Sequence, residues 1–165
     1  MSGIERFPGV SFATRGDVAM VVWDGEPTLA ANKWVIERAK TDLMSRFPTV
    51  LLVQIILETA GQPDAETRRY IEEAFKTHLQ PARRMVTVPI GGTLAKTIVR
   101  TIMRGMIVVA GRSGVIQISA TVAEGLDSLY EKASAHTPKR PEIEALLRQM
   151  GAFPGEPQGR REARA

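Results

Sequence analysis

Val50–Leu57 reads VLLVQIIL, eight residues of which only Gln54 is polar. A run this short, this apolar and this rich in β-branched residues reads as a strand in a sheet covered on both faces, because a half-exposed strand would alternate. Upstream, Val18–Trp23 (VAMVVW) has the same character and is closed by Asp24-Gly25. Val10–Arg15 alternates weakly and runs into the turn signal Gly16-Asp17, so Val10–Trp23 reads as a hairpin. Between hairpin and core strand, Pro27-Thr28 opens a helix. Its Trp34, Val35, Ala39, Leu43, Met44 and Phe47 recur at helical spacing, and Pro48 stops it.

Downstream the alternation continues. Glu58–Pro63 is a loop, and Asp64 caps a helix with Tyr70, Ile71, Ala74, Phe75 and Leu79 on one stripe, ended by Pro81. Met85–Ile90 (MVTVPI) is a third core strand, with Pro89 suited to an edge strand or a strand's last residues. Gly91-Gly92-Thr93 leads into a helix to about Val109. Gly111–Gly114 is a turn, and Val115–Ser119 (VIQIS) a fourth core strand. Thr121 caps a helix through Ala123, Leu126, Leu129 and Tyr130. A linker over His136–Arg140 precedes a short helix from Pro141 to Met150. Met1–Pro8 reads as a loose end and Phe153–Ala165 as a disordered tail. The organisation expected is an α/β domain over residues 9–135, a helical extension over 136–152 and a tail over 153–165. Its fold class is a mostly parallel or mixed sheet with an N-terminal β-hairpin, covered by helices on right-handed crossovers.

With 165 residues, 44% of them hydrophobic and 24% charged, the chain can bury a core unaided. It has no cysteine, which removes disulfides, thiolate metal sites and thiol catalysis. Its first residues lack the basic-then-apolar layout of a signal peptide, and its apolar runs are too short to cross a bilayer, so a cytoplasmic protein is expected. The net charge of +4 is unevenly spread: residues 74–123 carry seven basic and no acidic side chains. Such a stretch is either a solvated basic face or a surface for an anionic partner.

Catalytic patterns are missing. His78 and His136 stand apart without metal-ligand spacing, and no cofactor is expected. Gly111-Arg112-Ser113-Gly114 lies between helix and strand, the reverse of a nucleophile elbow, and reads as a turn. Glu72-Glu73, one turn from Arg68 and Arg69, has the spacing of surface ion pairs. The strand-to-helix turn Gly91-Gly92-Thr93, with Lys96 one turn on, is the candidate anion site, because a helix N-terminus presents free N–H groups. Its alternative is a tight bend that needs glycine. In the helix that follows, Leu94, Ile98, Ile102 and Met106 join Ala95, Val99, Met103 and Ile107 in one broad apolar face. Lys96, Arg100 and Arg104, spaced by four, form a basic ridge about 80° wide. This ridge is either a solvated line on a helix packed against the sheet or a docking surface for an acidic protein or an anionic membrane, which makes it the candidate partner-binding surface, and Gly105 reads as a point of close helix packing. Few aromatics interleave with the basic line, which disfavours nucleic acid as partner. Arg160, Arg161 and Arg164 of the tail alternate with Glu162 and make no basic arm.

Three stretches carry a family resemblance: Gly16-Asp17 running into VAMVVWDGEPT, PDAETRR over Pro63–Arg69, and Val99–Met106 leading to ISATVAEGLDSL. Together with the element order they resemble the STAS-like domains, named for sulfate transporters and anti-sigma-factor antagonists, in the form of stand-alone bacterial members. The resemblance spans about Val10 to Ala133. It implies a regulatory domain that is not an enzyme and works by binding a protein partner, an acidic one suiting the ridge, with self-association a further option. Some family members bind nucleotides or other small anions, which makes a small-anion sensor at Gly91-Gly92-Thr93 the alternative. Antagonist members carry a phosphorylated Ser or Thr at the start of the helix after the central strand. The hydroxyls near that position are Thr59 and Thr67, neither in an Asp-Ser context. A related lipid-binding fold would need a larger apolar pocket than these elements suggest.

Overall fold

The hairpin turn at Gly16-Asp17 takes its shape from a left-handed glycine, with φ of 53° at Gly16. It joins β2 (Val10–Arg15) to β3 (Val18–Trp23), with Arg15 opposite Val18. A computed structural model describes residues 3–111 and 113–155. Arg112 of the 111–114 turn, and the expected tail from residue 156 on, lie outside the described residues. The N-terminus differs from expectation: Glu5–Phe7 is no loose end but a strand, β1, paired antiparallel with β2. Gly9 turns between them at φ 85°.

The protein is α/β. One mixed sheet has the order β1-β2-β3-β4-β5-β6, antiparallel through β3 and parallel from β3 to β6. β4 is Val50–Ile56, β5 is Ala82–Pro89 and β6 is Ile116–Ile118. Pro89 is the last residue of an interior strand, where its missing N–H costs no ladder bond. The crossovers are α1 (Leu29–Ala39), α2 (Ala65–Thr77) and α3 (Thr93–Ala110). Since each parallel strand lies beside its predecessor, the three helices step across one face of the sheet. α4 (Val122–Tyr130) and α5 (Arg140–Gln149) cover the other.

β4 therefore alternates between two buried faces. Val50 and Leu52 meet the α1–α3 layer, while Leu51, Val53 and Ile55 meet the α4–α5 layer. Ile143, Leu147 and Met150 of the 136–152 segment are all within that second core. α4 lies close against the sheet at Gly125, where a Cβ would come 2.8 Å from Val88 Cγ2 and 2.9 Å from Val86 Cγ1.

The helices begin where the sequence places their caps. Thr28, Asp64 and Thr121 each accept a backbone N–H with the side chain, at Ala31, Thr67 and Glu124. α1 runs on into a π-helical turn over Lys40–Met44, with the Ser45 N–H donating to Lys40 O at 3.0 Å. At the N-terminal ends of the parallel strands a polar staple holds the sheet. Buried Asp17 accepts from Arg83 Nη2 at 2.7 Å and from Ser134 Oγ at 2.9 Å, and Arg83 also donates to Thr49 Oγ1 and to Lys132 O. Burial pushes the Asp17 carboxyl up. The hydrogen bonds from Arg83 and Ser134, with the nearby Thr137 hydroxyl and the charge of Arg83, outweigh it and hold the group below the usual carboxylate range.

Candidate functional site at α3 and the cleft beneath it

The start of α3 already holds an anion of its own. Gly91 has φ of 135°, which only glycine takes without strain, and a Cβ there would lie 2.7 Å from Glu58 Cβ. Glu58 Oε1 accepts the Gly92 N–H at 3.3 Å, so a carboxylate from the end of β4 sits at the positive end of the helix. Gly92 is the N-cap and Thr93 is exposed. A phosphate approaching this turn would meet the Glu58 charge. Lys96 is partly exposed and lines a shallow depression with Thr121, Val122 and Phe153, toward the start of α4.

Along α3 the apolar face is wider than its contact with the sheet. Met103, Met106 and Ile107 are buried, and Val99 and Ile102 pack against the core in part. Leu94 and Val108 are 75% exposed and Val109 53%. The expected inward row beginning at Leu94 thus turns outward at its first member. The physical reason is position: α3 is the last helix of its layer, over a three-residue edge strand, and no further element of that layer lies beyond it among the described residues. Gly105 is exposed with no atom within 4 Å of a Cβ, so it is not a close-packing point. At 100° per residue Gly105 falls in line with Leu94 and Ile98 on the outer face. Arg104 is exposed, Arg100 and Lys96 half-exposed, and among the described residues their side chains make no hydrogen bond or ion pair. A basic ridge without partners among the described residues therefore runs beside an outer face that exposes Leu94 at the start of the helix and Val108 and Val109 at its end.

The remaining candidates are scattered. Thr59 is exposed in the turn after β4, but Thr67 is only 1% exposed on α2. The Thr67 N–H donates to Asp64 Oδ1 at 2.7 Å and Thr67 holds that carboxyl below its usual range, so this candidate hydroxyl belongs to a buried helix start. His78 is the C-cap of α2, and the His136 ring lies 5.5 Å from that of Phe47. Arg68 donates to Pro63 O, and no ion pair joins it to Glu72 among the described residues. Nor do three or more metal-ligating side chains gather among them, and no helix of theirs is long and apolar enough to cross a membrane.

Beneath α3 lies a feature the sequence did not announce. An apolar cleft of about 140 Å³ runs between the sheet and α1, α2 and α3. Its walls include Phe12, Val21, Phe75, Met103 and Met106, with Lys40 and Met44 brought to it by the π-helical turn. The strand floor carries a polar row. Trp23 Nε1–H donates to Gln54 Oε1 at 3.0 Å, and Gln54 Nε2 donates to Thr87 Oγ1 at 3.3 Å. The three residues stand on the same face of neighbouring strands, Gln54 directly beside Thr87. Asn32 of α1, 7% exposed, also lines the cleft.

Comparison with family models, curated proteins and solved structures finds no match. The site thus rests on its geometry. Gln54 could have been picked out as the single polar residue of VLLVQIIL, since a buried polar group needs partners. Asn32 carried no such signal, because one asparagine in a helix reads as surface until the fold buries it.

Proposed function

We propose that this chain is a cytoplasmic, non-enzymatic regulatory module of the STAS-like kind, and that it works by docking α3 onto an acidic protein partner. The observation that carries the reading is the presence on α3 of exposed apolar Leu94 and Val108 beside the cations Lys96, Arg100 and Arg104, which have no partner among the described residues. Exposed apolar side chains at the two ends of the helix supply contact area that gains from leaving water, and the cations between them select a partner of opposite charge and speed encounter. The mixed sheet with its N-terminal hairpin also supports the STAS-like assignment. Glu58 at the Gly91-Gly92 turn weighs against the alternative of a small-anion sensor there.

The test is affinity capture from the source cell with the intact protein and with the K96E/R100E/R104E variant. Because these side chains make no hydrogen bond or ion pair among the described residues, the variant is expected to keep its melting temperature. The reading expects a discrete protein captured by the wild type and lost with the variant, and capture that weakens with added salt. Equal capture by both forms refutes α3 as the docking surface.

A further inference from the structure

We infer that the cleft between the sheet and α1–α3 is a binding site for a small aromatic ligand, a benzene-sized ring bearing one O–H or N–H group. Size comes first. The cleft measures about 140 Å³, and an apolar cavity of about 150 Å³ holds a benzene molecule while staying dry without it. The lining decides the body of the ligand. Aromatic rings and methionine sulfur at Phe12, Phe75, Met103 and Met106 favour a flat, polarisable ring over water.

Asn32 decides the polar group. Its Nδ2 donates to Pro27 O at 3.2 Å and to Thr28 O at 2.9 Å, which uses both hydrogens. The same two bonds fix the orientation of the amide, since the flipped form would set oxygen against two carbonyl oxygens. Oδ1 is then an acceptor that receives no hydrogen bond among the described residues, on a side chain 7% exposed that lines an apolar cleft. Oδ1 is not among the fully buried unpaired atoms, so it stays open to a small molecule; a ligand that covers it without a donor leaves it unpaired at a cost in free energy, and a ligand O–H or N–H supplies that donor. The Trp23–Gln54–Thr87 row differs, because its members already bond one another. Among the described residues no acidic side chain lines the cleft, and Lys40 and His78 lie among its lining residues. A neutral or weakly acidic ring fits this lining better than a cation.

Phenol and toluene test the inference, being nearly the same shape with and without the donor. The intact protein is titrated with each, following the methyl signals of Met44, Met103 and Met106 and the Trp23 indole N–H by NMR. The expected result is saturable shifts at these groups with phenol and about tenfold weaker binding of toluene, the effect of leaving one buried acceptor unpaired. The N32L variant should bring the two affinities together, and V35F, which places a ring in the cleft, should abolish both. Absence of shifts with millimolar phenol overturns the inference, and so does toluene binding as tightly as phenol to the wild type. The wild-type comparison decides the matter even if N32L does not fold.

Discussion

Replacing Asp17 by alanine tests the staple that joins the hairpin, β5 and the segment after α4. Asp17 is fully buried, and Arg83, whose side chain is 23% exposed, loses its only carboxylate among the described residues when it goes. Breaking a buried pair by removing one partner costs about 3–5 kcal/mol. Here the lower end applies, because Arg83 reaches water and keeps Thr49 and Lys132 O as acceptors. Losing the bond from Ser134 adds about 1 kcal/mol, and removing Asp17 Oδ1, buried without a partner, returns a similar amount. A net loss of about 3 kcal/mol lowers the melting temperature by about 6–12 °C in a chain of this size. The pH dependence has a definite sign. The folded pKa of Asp17 is depressed, so its contribution is present above the unfolded value of about 3.9 and is lost as pH falls through the lower folded value. Urea unfolding of wild type and D17A at pH 7 and on down to pH 2.5 should show a gap that is full at neutrality and narrows below about pH 4. A gap under 1 kcal/mol at pH 7, or one that does not change with pH, refutes the reasoning.

Two further substitutions test packing and burial. G125A should destabilise by about 1–3 kcal/mol in thermal unfolding, since its Cβ would come within 2.9 Å of two valine methyls on β5. R84M should leave the melting temperature unchanged or raise it. Arg84 is 5% exposed with Nε and Nη1 lacking acceptors, its only ion pair among the described residues is at 3.6 Å with exposed Glu131, and methionine fills similar space without a charge to desolvate.

The core strands were legible because two-sided burial leaves a mark that needs no knowledge of the fold. VAMVVW and VLLVQIIL are apolar at successive positions, and the structure sends those positions alternately to two helical layers. The caps at Thr28, Asp64 and Thr121 were legible for a local reason, each serving a backbone group three residues away. β1 was not. A three-residue strand carries no periodicity, and only the presence of β2 beside it makes Glu5–Phe7 extended.

The basic ridge of α3 was likewise fixed by spacing alone, since Lys96, Arg100 and Arg104 share a side of any helix they form. Which apolar residues of that helix meet water depends on how far the sheet extends beneath it, and the sheet ends at β6. Glu58 at the Gly91-Gly92 turn, 34 residues from the amide it accepts, follows from the parallel pairing of β4 with β5. The cleft belongs wholly to the tertiary structure. Asn32, Gln54 and Met103 are remote in sequence and come together only because a strand and two crossover helices share one face of the sheet, and the space they enclose is a property of packing that no local pattern encodes.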